Sequence, residues 1–222
     1  MLPQHRHALS AATAVLGLLL LTAVPAISRG ATPAAAAVPQ TAVRVAPPVL
    51  RSRHQAARSQ PGLRPGCDGR PGWRQVRGEQ AATALGFPLS TLGYRVRFRP
   101  EHAGYTGLTD ARAHTIDLFI RPCSQQSDAS LLFTLAHEVG HAIDATHLRS
   151  SRHDDWLQAR NRPGAVWFGC GGCADFTTGA GDFAETFAYW CTRNRAEYRS
   201  SLAPLPTDTQ LARLSPMFAV TY

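Results

Sequence analysis

The sequence predicts an α+β domain over residues 67–222, a few-stranded sheet followed by helices, and three observations carry that prediction. Tyr94-Arg95-Val96-Arg97-Phe98-Arg99 alternates apolar and arginine side chains. Thr115 to Arg121 stacks Ile116, Leu118 and Ile120 on one face. A helical apolar stripe then begins after Ser127. Strands first and helices after, within about 155 residues, is the order of an α+β domain of ordinary size.

The first segment is a half-exposed strand that Pro100 ends, because proline cannot donate to a ladder. Pro122 closes the second, and residues 114–121 offer an edge to which an extended peptide could add. Ser127 and Asp128 supply N-cap oxygens for a helix running to about Ala145, with Leu132, Leu135, Ala136, Val139 and Ile143 as its core stripe. A short helix is expected over His153 to Arg160, and a glycine-rich loop over Trp167 to Gly181. The next helix should run from Asp182 to about Cys191, with Phe183, Phe187 and Trp190 on one side and Asp182, Glu185 and Tyr189 on the other. Pro206 to Phe218 reads as a last helix beginning near Thr207.

The first 66 residues do not read as core. A polar start with Arg6, an apolar run from Ala8 to Ile27 and small residues at Val24-Pro25-Ala26 describe a secretory signal peptide over residues 1–26. The alternative is an uncleaved N-terminal membrane anchor, since the run is just long enough to span a bilayer. Residues 27–66, rich in Ala, Pro and Arg, cannot bury enough apolar surface to order themselves and read as a disordered linker or pro-segment. Of the formal charge of +8, seven arginines without any acid lie in residues 1–66; the remaining 16 arginines face all 15 acids. The folded part therefore lacks the basic excess that a nucleic-acid surface needs. The chain is expected to be secreted, with no stable membrane insertion once the signal is cleaved.

All five cysteines (Cys67, Cys123, Cys170, Cys173 and Cys191) fall in the folded part. An oxidising compartment predicts two disulfides and one leftover thiol, in any of fifteen arrangements. One disulfide is expected between the loop around Cys170 and the helix ending at Cys191. The rival is a structural zinc on Cys170, Cys173 and Cys191 with a His or Cys123; against it, the second Cys-x2-Cys of such sites is absent.

The chemistry centres on His137-Glu138-Val139-Gly140-His141. Histidines four apart on a helix project from one face and can grip a single ion, and Glu138 beside them can reach a water on that ion as general base. A catalytic zinc needs a third protein ligand. Glu185 is the first choice, on a polar face with aromatic packing behind it. Asp182 shares that face, although Asp182 and Glu185 also fit a capping box unless the helix begins a turn earlier, near Thr178. His147 is the other alternative, in a His-x3-His-x5-His spacing similar to that of the metzincins, but Asp144 stands where that pattern turns at a glycine. Asp144 is a candidate support for a ligand histidine, and Tyr189 a candidate oxyanion stabiliser.

Taken together, His137-Glu138-Val139-Gly140-His141-Ala142-Ile143-Asp144 and Asp182-Phe183-Ala184-Glu185-Thr186-Phe187-Ala188 resemble a small gluzincin, and most closely the lethal-factor-like secreted zinc peptidases. The resemblance covers roughly residues 94–191. It implies a zincin-type domain whose second helix carries Glu-x-Phe-Ala-Glu, the earlier Glu binding the metal and the later one supporting a ligand histidine. Here the earlier position is Gly181. Either Glu185 or Asp182 takes over as ligand, or the site is degenerate. The expected function is a secreted, zinc-dependent peptidase acting on peptide or protein substrates, with Glu138 as base. A secreted zinc-binding or interaction module without catalysis is the alternative.

Overall fold

In the computed structural model the described residues are 67, 69–148, 150–169 and 175–219. The signal peptide, the linker, Cys170 and Cys173 lie outside them. The element order is α1 (Trp73–Leu85), β1 (Arg95–Pro100), β2 (Gly107–Asp110), β3 (Thr115–Ile120), α2 (Asp128–His147), α3 (Ser150–Ala159), α4 (Gly179–Thr192) and α5 (Asp208–Leu214). Among the described residues no helix is long and apolar enough to cross a membrane.

The sheet order is β1-β3-β2, with β1 parallel and β2 antiparallel to β3. Residues 114–121 therefore do not form an edge: β3 is the central strand, and β2 is the edge beside α2. Ile116, Leu118 and Ile120 are wholly buried beneath the helices, as their alternation predicts. On the other face, the Asp117 carboxylate accepts from Arg97 at 2.6 Å and 2.5 Å and from Arg99 at 3.1 Å. The strand arginines are thereby partly neutralised by their own sheet. Asp110 closes the β2–β3 hairpin by accepting from the amides of Arg112 and Ala113, both at 2.9 Å.

Helix α1 carries no sequence signature of amphipathicity, because its buried face consists of Arg77, Gly78, Ala81 and Leu85. The Arg77 guanidinium is buried and donates to the Asp128 carboxylate, to the Arg121 carbonyl and to the Gln126 carbonyl, which ties α1 to the start of α2. Gly78 has to lack a side chain, since a Cβ there would meet the Phe98 ring at 2.2 Å.

The α2 helix starts on Ser127, whose side chain accepts from the Ser130 amide at 3.0 Å. It packs most extensively on α4, and Gly140 is a point of close approach: a Cβ there would lie 2.7 Å from the Cα of Ala184. Helix α4 begins three residues earlier than Asp182, capped by Thr178, whose hydroxyl accepts from the Gly181 amide at 3.0 Å. Its Phe183 and Phe187 join Trp156, Trp190 and Phe218 in one aromatic cluster, with Phe218 centroids 5.3 Å from both phenylalanines. The last helix is capped by Thr207 with Gln210 as a capping box. It stops at Leu214, where a 3-10 turn containing Pro216 takes over to Phe218.

A disulfide joins Cys67 to Cys123, with the Cα atoms 5.6 Å apart, and so fastens the chain before α1 to the loop after β3. Cys191 is a free, buried thiol. The expected disulfide from the Cys170 loop to Cys191 is thus not formed; the thiol is enclosed by the α4 packing instead, and burial pushes its pKa up.

Candidate metal centre

Helix geometry delivers what the His-x3-His spacing requires. His137 and His141 stand one turn apart on α2, and their Nε2 atoms approach within 3.1 Å of each other. The third group at this point is Asp175, in a short 3-10 turn (Asp175–Thr177) just ahead of α4. Its Oδ2 lies 3.2 Å from His137 Nε2 and 3.1 Å from His141 Nε2. His137, His141 and Asp175 form the metal-competent group of the described residues.

Three donor atoms 3.1–3.2 Å apart fit a small divalent cation. A tetrahedral ion with bonds of about 2.0–2.1 Å separates its ligand atoms by about 3.3 Å, and two imidazoles with one carboxylate are a zinc donor set. The Asp175 and His141 side chains remain 39% and 21% exposed, so one side of the group is open to solvent.

Glu185 is not among the converging donors. It sits behind His137, with Oε1 2.9 Å from Nδ1, while Oε2 accepts from the Arg199 amide at 2.5 Å. A carboxylate on Nδ1 fixes the ring orientation and leaves Nε2 for the ion. This is the role that the resemblance implies for the later Glu of its pattern. Asp182 is also displaced from the expected ligand set. It is fully buried and bidentate to Arg160 at 2.7 Å and 3.0 Å, and it accepts further from Trp156 Nε1 and Ser200 Oγ. Because α4 is capped by Thr178, Asp182 is not an N-cap either; its charge is committed to holding α3 and α4 together.

His147 is exposed at the last residue of α2, away from the converging donors. Asp144 does not support a ligand histidine. Its carboxylate binds His153 Nε2 and Trp167 Nε1, both at 3.0 Å, and His153 stacks on Trp167 with centroids 3.9 Å apart. Burial pushes the Asp144 pKa up against those hydrogen bonds. Tyr189 does not reach the oxyanion role: its ring packs on Tyr198 and lies beneath the Arg193 guanidinium towards the far end of α4.

The Asp175 position follows from a single missing side chain. A Cβ on Gly181 would lie 2.1 Å from the Asp175 carbonyl oxygen and 2.8 Å from its Cγ. The turn carrying Asp175 therefore occupies the space that any side chain at residue 181 would need. That turn is fixed by the Thr178 amide and hydroxyl, each 2.9 Å from the Asp175 carbonyl, and by Ser201 donating to the Phe176 carbonyl. Asp175 went unseen in the sequence, but a signal exists: once residue 181 is glycine, it is the sole acid between Arg160 and Asp182.

Electrostatics match a cation site. Burial alone would lower the His137 pKa, but hydrogen bonds to Asp175 and Glu185 and the nearby Glu138 charge raise it to about 10. Burial works against the Asp175 charge, and the two histidines nonetheless hold its carboxyl well below the usual carboxylate range. In the absence of metal, the proton on His137 supplies the positive charge that the surrounding carboxylates demand.

Glu138 is buried, one residue from His137. Its Oε2 lies 2.7 Å from the Thr109 hydroxyl on β2. No known protein family, curated protein or solved structure matches the chain.

Proposed function

We propose that this protein is a secreted zinc-dependent peptidase in which Glu138 is the general base. The observation that carries the reading is the convergence of His137, His141 and Asp175 within 3.2 Å, with Glu138 adjacent to them on the same helix. When bound, zinc supplies Lewis acidity at neutral pH, acidifying water and polarising a carbonyl.

The chain's own residues do the rest. His137 and His141 present Nε2 from one helix face, and Glu185 holds the His137 ring from behind. Glu138 takes the proton of the attacking water and passes it to the departing amine nitrogen. The open side of the group admits a substrate, and the outer edge of β2 offers main-chain groups to an extended peptide. The Cys67–Cys123 disulfide supports an oxidising destination.

Asp175 also bears on the rival reading of a zinc module without catalysis. That reading was motivated by Gly181 in place of a ligand, and Asp175 restores a third donor. On this reading the resemblance to lethal-factor-like peptidases rests on His137, Glu138, His141 and Glu185, with the acidic ligand supplied by the turn before the helix.

The test is Glu138→Gln in the zinc-loaded secreted protein against a mixed peptide library. The variant should keep its zinc and lose hydrolysis by a hundredfold or more. Equal rates for the two proteins would remove the mechanism, and a zinc-loaded wild type that cleaves nothing would favour the non-catalytic module.

A further inference from the structure

We propose that Thr109 and Gly107, on the edge strand β2, are positioning residues for the Glu138 carboxylate; this rests on the peptidase reading above. Glu138 is 6% exposed. A carboxylate buried to that degree is costly unless a donor meets it. The donor is Thr109, whose hydroxyl lies 2.7 Å from Oε2 and 2.9 Å from the Glu138 carbonyl. Its single proton goes to the charged oxygen, the stronger and nearer acceptor. The hydroxyl therefore touches the base at both its side chain and its backbone.

Gly107 lies two residues earlier on the same strand face. A Cβ there would meet Oε1 at 2.5 Å and Cγ at 2.6 Å. The carboxylate thus rests against bare backbone at one oxygen and is held by a hydroxyl at the other. That arrangement leaves Oε1 without a competing side-chain donor among the described residues, while the side-chain torsions are confined from the strand side. A base confined in this way loses less orientational freedom when it takes a proton, and a misplacement of about 1 Å can cost up to a hundredfold in rate. The same strand offers its outer edge to substrate, so the element that would bind the peptide also sets the base.

The experiment compares zinc-loaded full-length wild type with Thr109→Val, Thr109→Ser and Gly107→Ala. Five quantities are read: kcat and KM on one cleaved peptide, zinc content, thermal midpoint and the crystallographic position of the Glu138 carboxylate. Thr109→Val keeps the side-chain shape and removes the donor. It should lower kcat about tenfold or more with KM nearly constant, leave zinc stoichiometric and let the carboxylate swing from its place. Thr109→Ser should restore most of kcat. Gly107→Ala should lower kcat by displacing Oε1 while the hydroxyl remains. Wild-type kcat in Thr109→Val, or a Ser variant as impaired as Val, overturns the proposal; so does a fall in activity matched by lost zinc or lost folding. An inactive zinc-loaded wild type would instead bring down the peptidase reading and this inference with it.

Discussion

Gly181→Ala tests the placement of the third ligand without replacing any ligand. The new methyl carbon would start 2.1 Å from the Asp175 carbonyl oxygen, where ordinary contact begins near 3.4 Å, so the turn must retreat by about 1.3 Å. The Asp175 carboxylate rides on that turn and would leave the point where Oδ2 stands 3.1–3.2 Å from both imidazoles. Loss of one of three protein ligands should weaken zinc binding by about two orders of magnitude, near 2.7 kcal/mol. Local propensity pushes the other way, since alanine is favoured over glycine in a helix by about 0.5–1 kcal/mol. The displaced turn should cost the metal-free variant about 1–3 kcal/mol, partly offset by that propensity, and its metal affinity should collapse as well. Competition titration against a chromophoric chelator gives the affinity, and thermal melting of the metal-free protein gives the stability. Wild-type zinc affinity in Gly181→Ala would refute the argument that residue 181 must be bare for Asp175 to bind.

Direct removal of the donor, Asp175→Ala, should weaken zinc by at least the same factor, whereas Glu185→Gln should cost about tenfold because it only loosens the His137 ring; equilibrium dialysis ranks them, and a larger loss from Glu185 would restore it as ligand. Zinc uptake should release about one proton per ion at pH 8, because His137 is raised to about 10 and must give up its Nε2 proton; titration calorimetry in buffers of different ionisation enthalpy reads this, and no proton release would contradict the assignment. For the metal-free protein the sign runs the same way: a raised histidine pKa stabilises fully below about 6.5 and is lost as pH climbs towards 10, so its thermal midpoint should fall across that window and flatten in His137→Ala. Arg160→Met should cost about 3–5 kcal/mol in denaturant unfolding by leaving the buried Asp182 charge unpaired; a cost below 1 kcal/mol would mean that the pair is not what joins α3 to α4.

What the sequence made legible was whatever local periodicity or capping dictates. The Ile116, Leu118 and Ile120 face, the Ser127 cap and the His137–His141 face all follow from spacing alone. Helix α1 was hidden because the residues it buries are an arginine and small side chains, which satisfy each other only through tertiary contacts. Strand β2 was hidden by its shortness: Gly107-Leu108-Thr109-Asp110 reads as a turn until β3 supplies its partner. That omission also misplaced the sheet edge. The third ligand escaped for the same kind of reason. Asp175 lies 34 residues from His141 in a turn with no periodicity, and its position depends on space left vacant by Gly181. Glu185 and Asp182 stood out as acids on the polar face of their helix and were expected as ligands, but both are buried against partners, His137 and Arg160, that only the packed helices reveal.

The contact of Gly140 with Ala184 carries a consequence for how such a centre can drift. Of the three residues between the histidines, Val139 and Gly140 are nominally interchangeable spacers, yet here Gly140 is a wedge point between two helices. Each extra carbon at 140 would pry α4 outward and carry Glu185 away from Nδ1, 2.9 Å off at present. The basicity of His137, and through it the grip on any ion, is therefore tuned by the thickness of a residue that touches neither metal nor water. Sequence change at that spacer would act as a screw thread on the site, advancing or withdrawing a charge without altering a single donor.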